Sequence, residues 1–279
     1  MSASSPARRH LLPGFGLTLG VTLLYLVIIV AMPLTAMLFK AASLGWADFW
    51  SIVTSERSLS AFRVTFLAAA GATVFNAIQG LLIAWVLVRY RFPGRRLLDG
   101  LVDLPFALPT AVAGLALVTV FSNNGVFGQF LEPLGIKVAY TPLGIMIAMA
   151  FTSTPFVVRT VQPVLEDMQG ELEEAAHALG ATRWQIFTKV IWPTILPAFT
   201  AGCTLAFARS IGEFGAVVFI AGNLPFETEI ISLLMFIRLD EYDYASAAAL
   251  ATVLLAAAFL LLIITNSLQA WQLRYAERS

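Results

Sequence analysis

The amino-acid sequence predicts an all-α integral membrane protein with six transmembrane helices. Composition is the first reason. Of 279 residues, 59% are hydrophobic and 12% are charged, whereas a soluble globule carries about 25% charged residues. Mean hydropathy is +0.83, which is the second reason. The third is arrangement: charges are excluded from runs long enough to cross a hydrocarbon core about 30 Å thick. No solenoid repeat and no low-complexity linker interrupts the chain, so residues 1–279 read as one domain. Residues 1–14 are a tail, expected in the cytoplasm, and 15–270 a membrane domain with a polar loop at about 162–193. Formal net charge is zero and no basic tract occurs, so nothing points to nucleic acid; the surrounding partner is membrane lipid. Cys203 is the single cysteine, so no internal disulfide forms.

The spans follow in order. Residues 11–39 hold 29 positions without a charge, too many for a cleavable signal, whose apolar region runs about 7–15 residues. Residues 64–88 are a second run. A third, 104–121, is entered through Pro105 and Pro109, which either shape a cavity wall or make a kink needed only for packing. Asn123-Asn124-Gly125 reads as a turn outside the membrane. Residues 142–158 are a short fourth run rich in Thr and Ser. A fifth begins at 190–208 and is expected to pass two charges and continue to about Ile220. The sixth, 245–265, is charge-free. Six spans put both termini on one side.

Lys and Arg set the orientation. With the N-terminus inside, the inner segments hold eleven of these residues, Arg89, Arg91, Arg95, Arg96 and Arg159 among them. The outer segments hold five: Lys40, Arg57, Arg63, Lys137 and Arg238. Both termini and the loop at 162–193 are therefore expected in the cytoplasm.

That loop contains EAAHALGATRWQIFTKVIWP, from Glu174 to Pro193. Gly170 can start a helix, with Glu171, Glu173 and Glu174 in its first turns, where the helix dipole favours acids. Ala175 and Ala176 are small enough for another surface to approach the backbone. Gly180 sits where a left-handed cap would stop the helix. Thr182 with Gln185 reads as a capping box for a second helix, with Trp184, Phe187, Val190 and Ile191 on its apolar side and Pro193 ending it. A membrane protein keeps a structured polar loop of this kind for a soluble partner.

The spacing resembles the EAA motif of ATP-binding-cassette (ABC) importer permeases: Glu174, Ala175, Ala176, Gly180 and Pro193 match. Val190 stands where the family has Ile, and Trp192 where it has Leu. The resemblance implies a type I importer permease (MetI-like) architecture in a bacterial inner membrane. It also implies that Glu174, and more weakly Glu173, contact a cytoplasmic ATPase present in two copies. The chain itself has no Gly-x4-Gly-Lys-Ser/Thr phosphate loop. It is read as a non-catalytic subunit without a cofactor, the partner using ATP and Mg.

The second polar feature lies inside the fifth run, at residues 207–215. An Arg at a helix centre costs about 2.5–3.5 kcal/mol, so Arg209 needs protein or water around it and a partner. Glu213 is four residues on and can pair with it on one helix face. The pair either neutralises itself and stabilises packing, or places Arg209 toward a translocation path for an anion. On the second reading Ser210 adds a hydroxyl, and Gly212 and Gly215 allow close helix approach.

Arg-Ser-Ile-Gly-Glu-Phe-Gly is similar to a stretch of the molybdate and sulfate branch of these permeases. Residues 12–15 (LPGF), 89–114 (RYRFPGRRLLDGLVDLPFALPTAVAG) and 150–166 (AFTSTPFVVRTVQPVLE) resemble its sulfate/thiosulfate members, T-type subunit. The likeness runs over about 12–271. It implies a pair with a W-type permease subunit and a periplasmic sulfate/thiosulfate-binding protein, working by alternating access. Molybdate or tungstate is the rival cargo.

Other polar residues carry simpler expectations. Asp99 and Asp103 are read as local partners of Arg95 and Arg96. The acidic stretch 227–243 is read as a solvated outer loop, or as a contact for the binding protein. His10 and His177 are far apart in topology, so no metal site is suggested. An ATP-independent transporter would need no loop of the EAA kind. An intramembrane protease would need His-Glu-x-x-His or paired carboxylates within spans, and neither occurs.

Overall fold

The computed structural model describes residues 15–168 and 170–276. The expected tail at 1–14, His10 and most of the 12–15 stretch lie outside the described residues. Helices make the fold. In chain order they are α1 (Phe15–Ala42), α2 (Trp46–Val53), α3 (Glu56–Arg89), α4 (Arg95–Val102), α5 (Leu104–Ala107), α6 (Thr110–Phe121) and α7 (Gly128–Leu131). They continue with α8 (Pro142–Asp167), α9 (Gly170–Ala178), α10 (Arg183–Ile211), α11 (Gly215–Ile220), α12 (Ile231–Asp240) and α13 (Tyr244–Ala276).

Five of them, α1, α3, α8, α10 and α13, are long and apolar enough to cross a membrane. The third expected span differs. Pro109 disfavours helical backbone at the residue before it, and Leu108 is extended (φ −84°, ψ 134°). The run 104–121 therefore splits into α5 and a 12-residue α6, which rises about 18 Å and falls short of the hydrocarbon core. The fifth span differs too. Its helix stops at Ile211, and residues 212–214 break it before α11 starts.

Prolines also shape the long helices. Pro33 and Pro193 lack an N–H, and their rings press on the carbonyl four residues back. Each follows a widened turn, 27–31 in α1 and 187–191 in α10. Met32 N–H reaches back to the Val27 carbonyl and Trp192 N–H to that of Phe187, which makes room for the ring. Pro193 thus does not end a helix, as its position suggested; α10 runs through it from the polar loop into the helix bundle.

Helices α3, α8 and α10 form the centre. The short fourth run proves to be the most buried span, 26 residues long in α8. Along α3 the buried face reads Ala61, Thr65, Ala68, Ala72, Asn76, Gly80, Ala84 and Leu87, small residues at helical spacing. Between helices in lipid, attraction comes from close packing rather than from apolar transfer. Gly80 shows this: a Cβ there would stand 2.8 Å from Val157 Cβ in α8. Gly202 in α10 likewise faces Thr160 Oγ1 and the Val157 backbone. A buried polar knot joins α3 and α8. Asn76 donates to the Ala150 carbonyl (2.9 Å) and Ser153 Oγ (2.8 Å), and Thr154 Oγ1 lies 3.0 Å from Asn76 Oδ1.

The rest surrounds this centre. Helix α6 packs on α11, where Gly114 meets the Ala216 carbonyl and Gly215 meets Thr110. Helices α12 and α13 close one flank around Leu234 and Leu250. No residue of 15–26 is buried, so the first half of α1 stands outside the bundle and only its second half packs, on α13.

Candidate functional site

The polar loop folds as its sequence predicts at both caps. Gly180 takes the left-handed conformation (φ 84°). Ala181 N–H bonds the Ala176 carbonyl (3.0 Å) and Gly180 N–H bonds that of His177 (2.9 Å), the paired bonds of a Schellman cap. One residue later the capping box of α10 is complete: Gln185 N–H donates to Thr182 Oγ1 and Thr182 N–H to Gln185 Oε1. Two helices thus meet at a fixed elbow.

The elbow presents Leu179, 89% exposed, and Trp184, 72% exposed. Trp184 was expected on the packed side of the second helix; that side is instead Ile186, Phe187, Val190 and Ile191. Trp184 stacks on Phe187 from outside, with ring centroids 5.8 Å apart. Glu174 and Ala175 are also exposed, whereas Ala176 packs inward. The exposed set is a small apolar knob beside an acid. Pro193 lies exposed in α10, away from the elbow by more than two helical turns.

Glu173 is placed differently from Glu174. Its carboxylate accepts from Arg89 at the end of α3, so it is engaged within the chain. The same guanidinium lies 5.3 Å from the centroid of the Trp85 ring, a cation–π contact, and Trp85 meets Phe187 edge-on. Arg89 therefore ties α9 to α3 and to the base of α10.

Arg209 and Glu213 do pair, with Nη1 2.6 Å from Oε2. They do so across the end of a helix rather than along one face, because Glu213 lies in the break after Ile211. Glu213 is 1% exposed, whereas the Arg209 side chain is 34% exposed. The second carboxylate oxygen accepts from Ala216 N–H (2.9 Å), so one acid both neutralises Arg209 and satisfies backbone freed by the break. Oε2 is near enough for an ion pair but not aligned for a hydrogen bond. Ser210 points elsewhere. It is fully buried, 3.1 Å from Ser153 Oγ and 2.8 Å from the Ala206 carbonyl, so its hydroxyl is used between α10 and α8 rather than offered to a path. Gly215 makes the close approach expected of it; Gly212 meets only its own helix. Beside the break lies a cavity of about 600 Å³, lined mostly by apolar side chains with Lys40, Ser232 and Tyr244 among them.

Other charged residues depart from their local reading. Asp99 and Asp103 are held by Arg159 of α8, not by Arg95 and Arg96. Within 227–243, Glu229 is buried and takes both Nε and Nη2 of Arg57 (2.9 and 2.7 Å). Residues 231–240 are helix α12, with Ile231, Leu233 and Leu234 buried. The stretch is therefore largely packed structure rather than solvated loop; the apolar run from Ile230 to Ile237 was the sequence signal for it.

A family model described as "Binding-protein-dependent transport system inner membrane component" matches residues 76–276, which include the elbow, Arg209 and Glu213. This chain belongs to that family. The component is 56% identical over 262 residues to the sulfate transport system permease protein CysT of Escherichia coli (strain K12), covering 94% of this chain and 95% of the relative. It is 49% identical over 257 residues to CysT of Synechocystis sp., with 92% and 90% covered.

Among solved structures, the component is similar to a chain of a bacterial ABC transporter involved in import of the polysaccharide alginate. The TM-score is 0.76 at 18% identity, over 91% of this chain and 94% of that one. It is also similar to a chain of the inward-facing MetNI methionine ABC transporter, with TM-score 0.61 at 17% identity over 82% and 99%. The fold is that of a MetI-like ABC importer permease. The component is accordingly a multi-pass, non-catalytic membrane subunit.

Proposed function

We propose that this chain is the T-type permease subunit of an ATP-driven importer that moves sulfate or thiosulfate into the cytoplasm by alternating access. The observation that carries the substrate is near full-length identity of 56% to a sulfate transport system permease. In this reading the termini and the α9–α10 elbow face the cytoplasm, as the Lys and Arg bias favours. The exposed Glu174, Ala175, Leu179 and Trp184 form the knob that seats in a separate ATPase subunit, of which there are two copies using ATP and Mg. A W-type permease covers the outward faces, and a periplasmic binding protein delivers the anion.

Helix closeness transmits the stroke. Closure of the ATPases moves the elbow, and α10 carries the motion without interruption from Trp184 to the break at 212–214. Arg209 stands there, part exposed and paired with Glu213, as a weak transit point for an anion rather than a tight site.

Uptake of labelled sulfate into vesicles holding the permease pair and two ATPase copies, with the binding protein supplied and thiosulfate and molybdate as competitors, tests the cargo. ATP-dependent uptake competed by thiosulfate is expected. Import of molybdate but not of sulfate would overturn the substrate and leave the mechanism standing.

A further inference from the structure

The guanidinium of Arg159 is saturated. Its Nε donates to Asp103 Oδ1 (2.8 Å), Nη2 to Asp103 Oδ2 (2.6 Å) and to the Asp99 carbonyl (2.8 Å), and Nη1 to Asp99 Oδ1 (2.6 Å) and Gln162 Oε1 (2.7 Å). Five bonds match the five donors of an arginine. The fork on Asp103 is the bidentate arrangement, which fixes direction as well as distance. Isolated ion pairs at this exposure contribute little, but a bidentate network held from one helix is the exception.

What Arg159 grips is an arm with one apolar side in the core and the other outside it. The α4–α5 arm buries Val102, while Leu97 and Leu101 stay exposed. A cavity of about 200 Å³, lined by Gln79, Ile83, Leu98, Val102 and Pro105 among others, lies between the arm and the helices beneath it. Phe106 meets Phe156 of α8 edge-on, with centroids 5.4 Å apart. The arm is thus attached to α8 by polar and apolar contacts together: the Arg159 fork, the Phe106–Phe156 ring contact, and Val102 with Leu98 in the apolar cluster that includes Val157, Val158 and Val161.

Both ends of this attachment lead somewhere. Arg159 lies about 12 Å along the helix axis from the end of α8 at Asp167, beyond which α9 begins at Gly170. In the other direction the arm runs through Pro109 into α6. There Gly114 and Thr110 abut α11 so closely that a Cβ at Gly114 would stand 2.4 Å from the Ala216 carbonyl. Helix α11 begins at Gly215, two residues after Glu213.

We propose that Arg159 is a positioning residue that hands motion of the coupling elbow, through Asp99 and Asp103, to α6 and the helix break at Glu213. This rests on the reading of the elbow as the ATPase contact. A second route, distinct from the continuous α10, then reaches the ion pair from its other side. A purely structural anchor would fail by disassembly; a transmitting clamp fails by spending ATP without moving anion.

The test measures ATP hydrolysed per labelled sulfate imported by the reconstituted complex, for wild type, Arg159→Lys and Asp103→Asn. Lysine keeps the charge and loses the fork; Asp103→Asn removes the charge and turns one of the two accepting oxygens into a donor, leaving Asp99 and Gln162. The expected result is an assembled complex in which the ratio rises about five-fold or more in either variant, the scale of an ordinary coupling free energy. A ratio equal to wild type in both, or failure of both to assemble, overturns the proposal. Wild type showing no ATP-dependent uptake would instead overturn the functional reading beneath it.

Discussion

Arg89 at the end of α3 and Glu173 in α9 form an ion pair that fastens the α9–α10 elbow to the helix bundle. Two adjacent glutamates thereby divide their work. Glu173 is held by the chain, and Glu174 is left facing outward. Substituting each separates the two roles. Glu173→Gln removes an ion pair whose partners are each about one-quarter exposed, worth roughly 1 kcal/mol. ATPase affinity for the nanodisc-embedded complex is expected to fall about five-fold, without loss of assembly. A larger fall than for Glu174→Arg would show that the roles are reversed.

Arg209→Gln strips the partner from a carboxylate that is 1% exposed. Breaking a buried pair costs about 3–5 kcal/mol; because Arg209 is one-third exposed, about 2–3 kcal/mol is expected once screening is allowed for. Glu213→Gln added to it should restore most of the thermal stability. Uptake separates packing from transit. If the double variant is stable and transports at the wild-type rate, Arg209 serves packing alone.

The same stretch shows what sequence could and could not reveal. Local chemistry was legible: the Gly180 cap and the Thr182–Gln185 box are each set within six residues, and both formed as read. Five of the six apolar runs became long helices for the same reason. Features set by distant contacts were not legible. Asp99 and Asp103 sit beside Arg95 and Arg96 in sequence, yet the partner that fits them stands 56–60 residues away on α8. The break at 212–214 hid inside a run read as passing its two charges unbroken, because Glu213 caps the next helix at Ala216 N–H as well as pairing with Arg209. Pro193 looked like a stop signal, but a widened turn absorbs it. Trp184 reads as part of the apolar side of the second helix, yet it stands exposed on the elbow, where it suits a protein partner.

Close packing of α6 on α11 gives a contrast between two glycines. At Gly114 a Cβ would collide with backbone, whereas at Gly100 in α4 nothing lies within 4 Å. Gly114→Val should destabilise by about 1–3 kcal/mol. Gly100→Ala should be neutral or stabilise by about 0.5–1 kcal/mol through helix propensity. Thermal unfolding of the purified complex in detergent reads both, and equal effects would contradict the packing assigned to α6.

Asp243 opens α13, with Ser246 N–H donating to its Oδ1 (3.1 Å). The Ser246 hydroxyl, then its N–H and the charge of Arg238, hold the carboxyl below its usual range against a smaller opposing effect of burial. A depressed carboxyl stabilises above its unfolded value of about 3.9 and loses that contribution as pH falls through the folded value. Asp243→Ala should therefore cost about 1 kcal/mol at pH 7. The gap from wild type should narrow below about pH 4. A gap independent of pH would assign the effect to packing.

ATP dependence of uptake, measured with and without Glu174→Arg, tests the central claim most directly. The account predicts labelled-sulfate uptake by the assembled complex only when ATP is present, abolished by Glu174→Arg while the four subunits still co-purify through the permease pair and residual ATPase contacts. Uptake that proceeds without ATP, or that survives Glu174→Arg at the wild-type rate, would contradict it.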